Sequence, residues 1–157
     1  MTPPDWTTQL AAAVTATLHE YGAELPDTPI AVFHVGCYPW HGAVELSLLT
    51  AEELATDPLL RAPEEVGAWQ HYDFAADMES WEAATPLKRQ MARDYADAPE
   101  AERPAVVAAY VRACAEAVAA PAVSDALAAL NRSQGFRSSV THPDTHREFH
   151  PLERAGE

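Results

Sequence analysis

The stretch FHVGCYPWHG, residues 33–42, places His34, Cys37, Tyr38, Trp40 and His41 within ten positions. A zinc site would need His34, Cys37 and His41 to converge at ~2.0–2.3 Å from one point. A nucleophilic thiol would need Cys37 ionised by a neighbouring base, usually at a helix N-terminus. A plain connection between two strands needs only Gly36, Pro39 and Gly42 to shape it, with Tyr38, Trp40 and His41 packing or projecting. No CxxC or HExxH frame accompanies the ligands, and Pro39 argues against a helix beginning at Cys37. The turn reading is therefore preferred, and no metal or other cofactor is expected.

Two other groups carry reactive side chains. His142, His146 and His150 recur every fourth residue in HPDTHREFH. On a helix, neighbours in that series would lie ~6 Å apart along the axis and could grip one ion, while the third would be ~12 Å from the first. Pro143 makes His142 a cap, and a two-ligand surface site is weak. In DFAADMESWE, Asp73, Asp77, Glu79 and Glu82 fall within ten residues. Acid–base chemistry there would pair His41 or His71 with Asp73 in a cleft beside the 36–42 turn. The preferred reading is an acidic contact patch, because Trp69, Tyr72, Phe74 and Trp81 interleave with the acids and aromatic anchors rimmed by charge suit protein interfaces. At least two of those four aromatics are expected in the core. The predicted partner surface is Trp40, His41, Trp69, Tyr72, Asp73, Asp77, Glu79 and Glu82, with Trp40 and Trp69 as anchors.

The elements that must position these residues follow from periodicity. Trp6, Leu10, Val14, Leu18 and Tyr21 share one helical face, with Asp5 as the expected cap and Gly22 as the stop. IAVFHV, residues 30–35, predicts a buried strand. After the turn, Val44, Leu46 and Leu48 alternate with Glu45 and Ser47, which predicts an antiparallel partner strand. Thr50 to Glu53 forms a capping box. Residues 69–74 are read as a third strand and FRSSV, residues 136–140, as a last edge strand. Helices are expected from Thr85 and from Arg103, the second kinked or broken at Pro121. Cys114 falls on the apolar face of that second helix and is expected to be an inert core thiol, not bonded to Cys37. The whole is predicted to be one α+β domain over residues 1–141, an antiparallel sheet with an N-terminal helix and a helical C-terminal half on one face. Residues 142–157 read as a polar, flexible tail.

Charge limits the partners. Ten Lys and Arg against 24 Asp and Glu give a net charge of −14, which repels phosphate backbones and anionic membranes and attracts a basic protein. No apolar run reaches the ~18–20 residues of a membrane span. The start, MTPPDWTTQL, lacks the basic and apolar regions of a secretory signal, and two cysteines are too few for a disulfide framework. A cytoplasmic location is expected.

The PWHG turn, the LT-x-E-E cap and the W-x-x-Y-D-F segment, set between an amphipathic helix and a helical second half, resemble small uncharacterised bacterial proteins near the SUKH-type immunity superfamily. The resemblance spans residues 5–130 in outline. It implies an acidic, single-domain, non-enzymatic protein that binds and blocks a toxin.

Overall fold

The computed structural model describes residues 4–150. The first helix, α1 (Pro4–Gly22), buries Trp6, Leu10, Val14 and Leu18, the apolar face read from the sequence. The Trp6 indole donates 2.9 Å to the Leu87 carbonyl and meets the Tyr110 ring edge-on at 4.9 Å. Asp5, expected as the cap, lies inside the first turn and accepts from the Gln9 amide at 2.6 Å instead.

β1 (Ile30–Tyr38) and β2 (Ala43–Thr50) form the expected antiparallel hairpin, in register from Val32 opposite Leu49 to Tyr38 opposite Ala43. Thr50 and Glu53 cap α2 (Ala51–Thr56) reciprocally, each side chain taking the other's backbone N–H. A run of 3₁₀ turns leads to α3 (Thr85–Asp97), α4 (Arg103–Val118) and α5 (Pro121–Ala128). Pro121 breaks the helix: α4 and α5 meet at a bend of 59°. No single helix among the described residues is long and apolar enough to cross a membrane.

The chain is α+β, and the sheet order is β2-β1-β3-β4. Two expected strands, residues 136–140 at the edge and residues 69–74, are corrected here. FRSSV is the end of a longer strand, β3 (Arg132–Thr141), which lies inside the sheet and runs parallel to β1. The edge belongs to β4 (Glu148–His150), antiparallel to β3 and inside the segment expected to be a loose tail. The 69–74 strand does not form. Its one ladder contact is an isolated bridge between Leu48 and His71, and Asp73 adopts a left-handed φ of 48° that ends any extended run. Trp69 is buried on one side of the sheet and Phe74 on the other, so this segment crosses the edge of β2 rather than extending the sheet.

Alternation along β1 divides the interior. Phe33, Val35 and Cys37 face the main core with α1, α3, α4 and α5. Ala31 and Val32 join Leu49, Val66 and Trp69 in a smaller cluster on the opposite face. Both cysteines are free, as expected, and Cys37 is buried along with Cys114. The Cys37 thiol donates to Met91 Sδ at 3.6 Å. Hydrogen bonding with Cys114, then burial, pushes the Cys37 thiol well above its ordinary range, which suits inert core packing.

At the hairpin tip, Pro39–His41 makes one 3₁₀ turn closed by the Gly42 N–H on the Pro39 carbonyl at 3.1 Å. Gly42 has φ 60°, and a Cβ there would lie 3.1 Å from Ala92 Cβ and 3.3 Å from the Lys88 carbonyl. Both backbone conformation and the close approach of α3 require glycine. Gly42→Ala should therefore lower unfolding free energy by about 1–3 kcal/mol, measured by urea denaturation; an unchanged midpoint would refute that account of the tip.

Candidate functional site: an acid- and tyrosine-rich ledge at the hairpin edge

The polar residues of the hairpin's outer side and the 71–73 crossing segment form a ledge. Glu45 and Ser47 project from β2 on the face opposite the main core, since Val44, Leu46 and Leu48 fill that core. Ser47 Oγ accepts the Asp73 N–H at 2.9 Å, and Glu45 Oε1 accepts the Tyr72 hydroxyl at 2.8 Å. Tyr21 Oη and His71 Nδ1 lie 2.6 Å apart, and the Tyr21 ring stacks on Phe74 at 4.4 Å. These ties hold the His71 and Tyr72 side chains and the Asp73 backbone of an otherwise irregular segment.

Electrostatics at the ledge disfavour the ionised form of Asp73. Burial raises the Asp73 carboxyl to about 6, the Glu45 and Asp77 charges push the same way, and Lys88 opposes them. Burial and then the hydrogen bond to Glu45 hold the Tyr72 hydroxyl firmly in its neutral, donating form. Tyr38 is likewise raised, by burial first and then by Glu45. Its ring lies over Gly36, where a Cβ would come within 2.9 Å of it.

The predicted site residues divide between places. Tyr72 is 41% exposed, with Asp73 half-buried beside it and Asp77 exposed on the following turn. Trp40 is half-buried at the hairpin tip, with its ring 6.1 Å from Tyr38 and 6.2 Å from Tyr95, and His41 is exposed next to it. Glu79 and Glu82 are exposed on a 3₁₀ turn that docks toward α1, where Ser80 Oγ donates to Glu20 at 2.8 Å. Trp69 is only 4% exposed and donates 2.6 Å to the Leu60 carbonyl. It is core, as are Phe74 and Trp81, and its removal from the contact surface corrects the sequence reading. Glu45, Ser47 and Tyr38 were missed as site residues. The signal for them was the outward parity of Glu45 and Ser47 in β2.

The other reactive groups are dispersed. His34 and Cys37 are three apart on one strand and so face opposite sides of it, while His41 lies beyond the turn. Among the described residues no three of His, Cys, Asp or Glu are grouped to hold a metal. Residues 142–146 form a turn instead of a helix. His142 Nδ1 accepts the Asp144 and Thr145 N–H groups at 3.2 and 3.3 Å, and His146 takes a left-handed φ of 58°. The side chain of His150 lies outside the described residues. No hydrogen bond joins Asp73 to His41 or His71 among the described residues.

His34 is the buried histidine of the sheet's second face, with Nε2 3.1 Å from Thr141 Oγ1 and its ring edge-on to Trp69 at 6.0 Å. Burial, and then the Arg137 charge, lower it to about 4.

No family model matches the chain, and neither a curated protein nor a solved structure matches it.

Two pH dependences of opposite sign follow. His34 binds its proton less readily folded, at about 4, than unfolded, at about 6.5. Its contribution is fully present above pH 6.5 and is lost as pH falls toward 4, on the order of 3 kcal/mol. In His34→Gln that part of the slope should vanish in pH-dependent denaturation; an unchanged slope would contradict the burial argument. Asp73 binds its proton more readily folded, at about 6, than unfolded, so it destabilises the fold above pH 6 and ceases to do so below about 4. Asp73→Asn keeps a residue tolerant of positive φ. It should raise Tm at pH 8 by more than it does at pH 4, and an equal change at both pH values would refute the electrostatic origin.

Proposed function

We propose that the protein is a non-enzymatic, acidic recognition module that uses the ledge to bind a basic protein. The observation that carries this reading is Tyr72, a large aromatic side chain left exposed yet held at its hydroxyl by Glu45 and flanked by Asp73 and Asp77. An anchor fixed before contact loses little conformational freedom on binding, and tyrosine is among the residues that dominate interface energetics. The surrounding carboxylates supply complementarity to Lys and Arg, consistent with the net charge of −14. Trp40 and His41, at the hairpin tip, extend the contact surface, and Tyr72 replaces Trp69 as its centre. A toxin-neutralising role of the immunity type is the biological setting that best suits an acidic, single-domain binder.

A second reading has one observation in its favour. Asp73, in a left-handed conformation with its carboxyl raised to about 6, has the profile of a general acid operating near neutrality. Such an acid would deliver its proton directly to the leaving group of a bound substrate.

The test is crosslinked capture from the native host with the wild-type chain and with Tyr72→Ala in parallel, followed by binding kinetics on the captured protein. A basic protein lost on Tyr72→Ala is expected, with a faster dissociation rate worth about 2 kcal/mol. Neutralising Glu45, Asp73 and Asp77 together should slow association and flatten its salt dependence. A captured partner indifferent to both changes would overturn the ledge as its binding surface. A small-molecule turnover abolished by Asp73→Asn would favour the enzymatic reading.

A further inference from the structure

A cleft lined by two arginines lies at the start of β3. Ile30 is opposite Arg132 and Val32 is opposite Arg137, so two steps along β1 correspond to five along β3. Residues 133–136 loop out as a bulge, tied by the Ser133 hydroxyl donating to the Ile30 carbonyl at 3.2 Å and turned at Gly135 with φ 82°. The bulge brings the two arginines opposite strand positions only ~7 Å apart. Both line one cleft of about 340 Å³, together with Phe136, Leu127 and the hydroxyl-bearing Ser124 and Ser138. Neither serine hydroxyl has a partner among the described residues.

We propose that this cleft binds a compact oxyanion, a phosphate or carboxylate group, between the Arg132 and Arg137 guanidiniums. No carboxylate lines the cleft itself. Arg132 lies 5.3 Å over the Phe136 ring, and Arg137 pairs with Glu148 at 3.3 Å. Guanidinium forks match oxyanions through charge-assisted hydrogen bonds, and the two free serine hydroxyls add donors. The Arg137–Glu148 pair is substantially exposed, 43% and 37%, so it holds its partners weakly and an incoming anion competes with it. The net charge of −14 repels a polyanion at long range, which restricts the ligand to a small one whose attraction is local.

The experiment is NMR titration of the full chain with sodium phosphate and, separately, sodium acetate at constant ionic strength, following the amides of Gly135 to Ser138. Saturable shifts are expected, and the tighter of the two anions identifies the preferred chemistry. Arg132→Gln and Arg137→Gln should each weaken binding by about tenfold, while Glu148→Gln, which removes the internal competitor, should strengthen it severalfold. Absence of saturation with both anions, or unchanged affinity in the arginine variants, overturns the proposal. Should an arginine variant fail to fold, Glu148→Gln decides, and an affinity equal to or below wild type counts against the site.

Discussion

β1 has neither a free edge nor a free face, and the rest of the molecule is arranged to satisfy it. Its backbone pairs with β2 on one side and β3 on the other, and eight of its nine residues are buried. One face needs an apolar lid, which α1, α3, α4 and α5 supply over Phe33, Val35 and Cys37. Burying each such aliphatic or aromatic side chain stabilises by roughly 1.5–3 kcal/mol. The other face carries His34, which demands a hydrogen-bonding partner once water is excluded. Thr141, from the parallel strand, meets that demand. The parallel pairing is thus tied to one polar side chain as well as to the ladder.

That dependence explains which parts of the fold were legible in the sequence. α1, the hairpin, the capping box and the starts of α3 and α4 are specified by residues a few positions apart, so periodicity and turn chemistry reveal them. The place of β3 is set by partners about a hundred residues distant, and its exposed half, Arg132 to Ser138, lacks the apolar run of an inner strand. Residues 69–74 do alternate, but Trp69 and Phe74 enter two separate cores. One-dimensional alternation is blind to that division. The ledge was half visible for the same reason: Tyr72 and Asp73 were found as neighbours in sequence, while Glu45 joins them only across 27 positions.

Charge is distributed in a way that net charge hides. Acids concentrate around the hairpin edge and the turns after it, while Arg112, Arg132 and Arg147 each cover an aromatic ring, Phe149 twice and Phe136 once. Stacking gives these arginines a role without a carboxylate partner and keeps their hydrogen-bonding edges available. An acidic protein can thereby keep a locally positive district.

The crossing of residues 69–74 over β2 also covers part of an exposed sheet border. β2 is an outer strand of largely buried, apolar residues, the kind of border that invites a strand from another chain to add on. At Leu48 its N–H is already taken by the His71 carbonyl at 3.2 Å, and the left-handed Asp73 turns the covering chain away before it can offer a further strand of its own. The opposite border is β4, three residues long and bearing Glu148. A single backbone bridge on one side and brevity on the other act as the sheet's safeguards against templated growth into fibres.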